Sequence, residues 1–327
     1  MSSPTAAHTA AAPSLVGSLA TGRSPATTAA THPRLLTAFA WLSTVVSLSV
    51  YGFWRAVVPG DVDGLQLAQV LLVASLLVFT WVWPAVRPLR GYLAVLMAIE
   101  LVTSYLHPFM AESAVWRGWF SVQGGPWLLD TFADRLVKVG EALLVIAVVL
   151  FGLGSSRRAV FLARGQLDAP ARRVRWLGMR ADQPWTRFGV KLALILGSIF
   201  GIALGFMLPP SLAGFGRLLP LLPLALLVAA MNALYEEVLF RAAPLSQLWT
   251  VVGGRQAILI TSAYFGLGHF SGSIPSGPVG VLQAGFLGWI LSKSMLETRG
   301  LAWPWFIHFV LDAVIFVFLA AHAAAVS

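Results

Sequence analysis

Apolar positions in this chain come in long unbroken runs, with polar residues gathered between them. A membrane-crossing helix needs about 20 such residues. Runs of that kind fall at roughly Leu35–Val58, Leu65–Val86, Tyr92–Leu106, Leu136–Gly154, Phe188–Leu208, Leu218–Phe240, Gln256–Phe270, Pro278–Ser294 and Ala302–Val326. The third and seventh are short enough to be partly re-entrant. The pattern predicts an all-α, polytopic transmembrane bundle of about eight to nine helices. Strands of a membrane barrel would alternate apolar and polar residues, and these runs do not.

The polar positions order the runs. Residues 1–33 are rich in Ala, Ser and Thr, carry Arg23 and hold no acid, which predicts a disordered tail. No short apolar core with a cleavage site precedes the first run, so a secretory signal is not expected. Every second loop is basic: Arg87 and Arg90, then the group from Arg157 to Arg180, then Arg241 and Arg255, then Lys293 and Arg299. The alternate loops are acidic or near neutral (Asp61 and Asp63; Glu112, Arg117 and Asp130; Ser271–Gly277). That alternation fits nine crossings with the N-terminus cytoplasmic, and the expected location is a bacterial cytoplasmic membrane. The long basic loop divides the chain into a tail (1–33), a four-helix region (34–154), the loop (155–187) and a C-terminal membrane domain (188–327). Trp176–Arg180 is expected to lie along the membrane surface. Tryptophans at run ends, such as Trp54, Trp83, Trp185, Trp249 and Trp303, suit an interfacial belt.

Composition agrees. The chain is 58% hydrophobic and only 11% charged, with a mean hydropathy of +0.80, too little charge to cover a soluble surface. The net charge of +9 would suggest nucleic acid in a soluble protein. Here the arginines sit in loops between spans, so lipid and not nucleic acid is the expected partner. Cysteine is absent, which removes thiolate catalysis and cysteine metal sites.

Ionisable residues inside apolar runs are costly and mark function. Three groups stand out. Glu236, Glu237 and Arg241 close the sixth run; Glu237 and Arg241 are four apart with the acid first, the favourable order for an ion pair. That leaves Glu236 free to face a cavity as a general base. His269 follows Phe265-Gly266-Leu267-Gly268, where the glycines permit close helix approach. If the sixth helix runs on through Pro244–Thr250, the glutamates and His269 both lie about 20 Å from the intervening turn, and so at one depth. His308 and Asp312 share a face of the last run. Together these residues can activate water and stabilise an oxyanion. Two histidines with carboxylates also suit zinc, with Glu236, His269 and His308 as the ligands, although no cofactor is required by the pattern. The zinc motif HExxH, a Gly-x-Ser-Gly serine site, a Gly-x-Gly-Asp site and a P-loop are all missing.

Glu-Glu-x-x-x-Arg, Phe-x-x-x-His and His-x-x-x-Asp, in this order on consecutive apolar helices, resemble the CAAX-protease and bacteriocin-processing (CPBP, or Abi) family of intramembrane endopeptidases. Its relatives include the eukaryotic CAAX prenyl protease 2. The resemblance runs from Leu218 to Phe318. It implies a helical bundle around a conical cavity and hydrolysis of a peptide bond in a membrane-associated protein or peptide. It assigns the water to Glu236 with His269, bracing to Glu237 and Arg241, and the oxyanion side to His308 and Asp312. Both metallo and metal-free glutamate mechanisms are argued for the family. Its last motif position is commonly Asn, whereas this chain has Asp312, expected to act by keeping His308 cationic. The rivals are a non-proteolytic scaffold or a transporter that keeps the same polar cavity.

Other residues receive plainer readings. Glu100 is expected to be functional or to pair with an arginine, and His107 to be interfacial. Asp134, Arg135, Lys138 and Glu141 are expected to pair along one helix, and Gly201 and Gly205 to form a packing face. No chemistry is expected of Ser271–Gly280.

Overall fold

In a computed structural model, residues 33–57, 63–120, 127–209, 211–271 and 276–326 are described, without side chains for 49–57, Asp63 and Val326. The tail expected to be disordered, the acidic Asp61 loop, the ring of Trp54 and most of the Ser271–Gly277 loop lie outside these residues. The rest is an all-α polytopic bundle. Its helices are α1 (Pro33–Val57), α2 (Asp63–Val82), α3 (Pro84–Ala111), α4 (Ala114–Phe120), α5 (Trp127–Ala147, extended by a wide turn over Val148–Gly152), α6 (Trp185–Met207), α7 (Leu212–Leu248), α8 (Gly254–Gly268), α9 (Gly277–Thr298) and α10 (Ala302–Val326). Among the described residues, six are long and apolar enough to cross a membrane: most of α2, then α3, α6, α7, α9 and α10. The chain is thus an integral membrane protein.

All nine expected runs are helical, with two corrections of length. The third is not short, because Pro84–Leu89 continues it as a tight helical turn and α3 reaches 28 residues. Pro84 opens it, where a missing N–H costs little, and Pro88 lies within the tight turn. The sixth extends at both ends. Ser211 Oγ accepts from the Gly214 N–H and caps its start, and the helix continues past Arg241 to Leu248. The seventh, α8, remains short at 15 residues.

Three apolar clusters hold the helices. One joins α1, α2, α3 and α5 to the second half of α7 and to α8. A second joins α5, the first half of α7 and α10 through Leu128, Ala225, Val228 and Phe316. The third docks the basic loop. Ala169, Ala171, Val174 and Met179 pack on Trp185, Ile290, Leu291 and Ile307 of α6, α9 and α10.

That loop is a folded strap. A two-residue antiparallel pair, β1 (Pro170–Ala171) and β2 (Gln183–Pro184), sets Pro170 opposite Pro184 and Ala171 opposite Gln183. Asp182 accepts from the Arg173 N–H and Asp168 from Thr186 Oγ1, so both loop acids serve the loop itself. The Gln166 N–H donates to the Thr298 carbonyl and the Leu301 N–H to the Ala163 carbonyl, which ties the strap to the α9–α10 turn. Trp185 and Trp303 therefore face the protein and not the lipid. Both are buried, donating to Glu297 and to the Leu167 carbonyl. Trp176 is exposed, yet its ring meets Phe286 and Trp289 on α9.

Glycines set the close approaches that matter for the site. A Cβ on Gly266 would lie 2.7 Å from the Val281 carbonyl oxygen and 3.1 Å from Gly285 Cα, so α8 and α9 meet there backbone to backbone. Gly268 has no such need, its nearest neighbour being the Phe240 ring at 3.9 Å. Gly197 and Gly201 receive Val310 and Val314 of α10.

Candidate active site

The Glu236–Arg241 stretch lies in the middle of α7, where the first half of the helix gives way to a wide turn over Val238–Ala242. The Ala243 N–H reaches back five residues to the Val238 carbonyl. Pro244 follows. Its ring would strike the Phe240 carbonyl in a regular helix, and widening the preceding turn gives it room.

Glu237 and Arg241 are both 0% exposed, with Nη1 to Oε1 at 2.5 Å. The same Oε1 accepts from His308 Nδ1 at 2.7 Å. Glu237 thus links α7 to α10 as well as to its own helix. Arg241 lies over the Phe265 ring, 4.0 Å from its centroid, and that ring also abuts His269 and His308 at 4.5 and 5.9 Å. Phe265 is the apolar block against which the charged groups are set.

Glu236 is turned the other way, into the cavity, and is 17% exposed. Its Oε1 accepts from Asn232 Nδ2 at 3.1 Å, and its Oε2 lies 3.4 Å from His308 Nε2. Asn232 Nδ2 also donates to Asp312 Oδ2 at 3.0 Å, so one amide joins two carboxylates from facing helices. Trp305 Nε1 donates to the Ala230 carbonyl and fixes α10 in register beside α7. His269 caps α8, and its Nδ1 donates to the Phe265 carbonyl at 2.9 Å. A neutral ring held that way keeps the Nε2 lone pair available.

Glu236, His269, His308 and Asp312 all line one cavity of about 710 Å³, while Glu237 and Arg241 stand behind it. The expected matching depth is therefore met. The carboxylate that hydrogen-bonds His308 is Glu237, whereas Asp312 Oδ1 is 3.8 Å from Nε2, too far for a hydrogen bond. Among the described residues, no three His, Cys, Asp or Glu side chains converge as metal ligands.

Sequence reasoning missed two features. Asn232 is one; it is the single asparagine of the chain, buried in an apolar helix four residues before Glu236, and that isolation was the available signal. The other is the wall supplied by α5 through Trp127, Asp130, Thr131, Asp134, Arg135 and Lys138. Asp134 meets Lys138 at 3.1 Å, the i,i+4 pair expected, but it also meets its neighbour Arg135, and among the described residues Glu141 pairs with His107 and not along its own helix. His107, expected only to be interfacial, is held inside the bundle by two carboxylates. Its Nδ1 is 2.7 Å from buried Glu141 and its Nε2 3.2 Å from Asp134. Glu100 accepts from Gln69 and Ser104, and among the described residues no arginine meets it. Gly280, placed by sequence in an inert loop, belongs to α9 and also lines the cavity.

Residues 218–314 match the family model described as type II CAAX prenyl endopeptidase, Rce1-like. This stretch holds Asn232, Glu236, Glu237, Arg241, His269, His308 and Asp312, and bears out the resemblance read from the three motifs. α5 and α6 lie outside it. No curated protein and no solved structure matches the chain.

Proposed function

We propose that the protein is a membrane-embedded endopeptidase that cleaves a membrane-associated protein or peptide with a water activated by Glu236. The carrying observation is the division of labour between adjacent glutamates. Glu237 is committed to Arg241 and His308, whereas Glu236 has one oxygen held by Asn232 and the other open to the cavity.

The chemistry follows from these contacts. Water bound at Glu236 Oε2 and the free nitrogen of His269 loses a proton to Glu236, and its oxygen attacks the carbonyl carbon of the scissile bond. The carbonyl electrons move to oxygen, and a proton on His308 Nε2 stabilises that oxyanion. Collapse breaks the C–N bond, and the proton held by Glu236 passes to the leaving nitrogen. Glu237 orients His308 through Nδ1, so it is a positioning residue, with Arg241 behind it. The apolar walls of the cavity suit a lipid-modified substrate, and a prenylated C-terminal peptide is the first class to test.

Glu236→Gln and Glu236→Ala should abolish release of the C-terminal fragment while the protein remains folded in the membrane. Full cleavage by either variant overturns the reading. A purified wild-type protein that binds such peptides without cutting them supports the scaffold alternative instead. Activity that survives chelation fits the glutamate route. Activity lost on chelation and restored by zinc would replace it with a metal route through Glu236, His269 and His308, which do not converge as ligands in this arrangement.

A further inference from the structure

The cavity has a direction within the bundle. Its α10 residues run from His308 to Leu319, so about 16 Å of that helix leads from the catalytic groups toward the C-terminal end. Its α5 residues, Trp127 to Lys138, and its α9 residues, Gly280 to Leu287, come from the leading parts of those helices. Both lie at that same end, where the Trp127 ring meets Phe316. From α7 it takes only Asn232 and Glu236. Beyond them Glu237 and Arg241 are fully buried, and the helix ends where Gln247 Nε2 donates to Ser155 Oγ of the strap. No residue of the strap lines the cavity. The site is therefore shut on the strap side and extends to the opposite face. Polar groups agree, because Asp130 and Gln283 are both exposed and line the cavity at that end, where water can reach them.

We infer that the cavity opens on the extracytoplasmic face of the membrane and that the substrate is a polypeptide segment exposed there. The inference rests on the endopeptidase reading and adds to it the side from which cleavage occurs. The two faces differ in charge. Residues 155–187 hold eight arginines against Asp168 and Asp182. Arg255 and Arg299 lie on the same face, Arg299 over the Trp249 ring at the end of α7. On the cavity face the described helix ends and connections hold Glu112, Arg117, Asp130 and Arg217, two of each sign. Arginine-rich loops shorter than about 60 residues stay cytoplasmic, so the strap marks the inside and the cavity faces out. Both acids of the strap are spent on its own turn, at the Arg173 N–H and Thr186 Oγ1, which leaves the arginines to dominate that face. A segment that reaches Glu236 from outside has first been carried across the membrane, so translocation is the class of reaction that supplies it. The apolar walls accept a membrane-embedded or lipid-bearing segment from either leaflet, so the chemistry at Glu236 is unchanged.

The natural absence of cysteine makes the side measurable in the full-length protein. Gln283→Cys places a thiol at the open end of the cavity, and Gln166→Cys places one on the exposed face of the strap without altering charge. Both should react with a membrane-impermeant maleimide in detergent. In intact spheroplasts Gln283→Cys should be labelled, and Gln166→Cys only after lysis. The reverse pattern overturns the inference, since the cavity would then face the cytoplasm. So does a Gln283→Cys protein that reacts in detergent but from neither side of the membrane, because the cavity would then open into lipid. Labelling does not depend on cleavage, so the side can fail while the endopeptidase reading stands. The substrate class is read separately, as new protein termini present in wild-type cells and lost in Glu236→Gln cells. These should map to exported or outward-facing segments. Termini confined to cytoplasmic segments overturn the substrate class. If no terminus depends on Glu236, the endopeptidase reading fails and the substrate class with it.

Discussion

Replacing Glu237 by Gln leaves the Arg241 guanidinium without its carboxylate in a place where both side chains are 0% exposed. The surroundings have little to offer in exchange. Arg241 Nε and Nη2 and Glu237 Oε2 already lack hydrogen-bond partners among the described residues, and the nearest large group to Arg241 is the Phe265 ring. Breaking a buried pair from one side costs about 3–5 kcal/mol, so Glu237→Gln and Arg241→Met should each lose that much in unfolding measured in detergent. Removing both charges is different. Glu237→Met with Arg241→Met should recover to within about 2 kcal/mol of wild type, since well-packed apolar replacements of buried pairs are often neutral or stabilising. Activity should not recover with it. His308 Nδ1 loses its acceptor at 2.7 Å in the double variant, whereas Glu237→Gln still offers it a neutral amide oxygen, so kcat of the double variant should stay roughly 100-fold down, the scale of a misplaced acid–base group. Peptide cleavage and unfolding are read on the same preparations. A double variant restored in both stability and rate would show that the pair only packs the bundle. A single Glu237→Gln loss below about 1 kcal/mol would show that water reaches the pair, against the burial on which the estimate rests.

Three further outcomes follow from local geometry. Gly266→Ala should cost about 1–3 kcal/mol by forcing α8 from α9, whereas Gly268→Ala should be neutral or slightly stabilising, as paired thermal unfolding would record. Asn232→Leu should lower kcat about tenfold or more with KM little changed, because Glu236 and Asp312 lose their shared donor; an unchanged kcat would remove Asn232 from the site. Gly300→Ala would drive a Cβ into the backbone of Gly165, so the strap should detach and limited proteolysis between residues 155 and 184 should accelerate; an unchanged digestion rate would contradict that contact.

Contacts within one helix were legible in the sequence, and contacts between helices were only partly so. The Glu237–Arg241 and Asp134–Lys138 pairs follow from a four-residue spacing on any helix. The shared depth of Glu236 and His269 also followed, because a short turn between antiparallel helices converts residue counts into distance. What an apolar run does not reveal is which neighbour each face meets. In lipid-facing helices the outside is as apolar as the inside, so no stripe points toward a partner. His107 was therefore read as interfacial when it belongs to Asp134 and Glu141, and Glu100 was offered an arginine when Gln69 and Ser104 serve it. The contribution of α5 to the cavity was missed for another reason: its charged positions 130–138 sit at the entry to the apolar run and read as pairs along one helix.

Two prolines held more information than their positions as helix breakers suggest. Pro108 and Pro244 each follow a wide turn by one residue past its end, and in both the intervening N–H, of His107 or Ala243, reaches back five residues. The physical cause is shared. A proline ring collides with the carbonyl four residues earlier and leaves it without a donor, and a wider turn moves that carbonyl aside. At Pro108 the freed Ser104 carbonyl is claimed by Gln66 Nε2 from α2 at 2.5 Å, so the irregularity becomes a link between helices. In α7 the wide turn takes in Arg241, and in α3 it ends beside His107. The irregular backbone thus carries Arg241 behind Glu236 and Glu237, and the histidine behind the α5 wall. An X-Pro step inside an apolar run beside an ionisable residue is then a signal of a shaped site, and in this chain it occurs at both places where charge is gathered around the cavity.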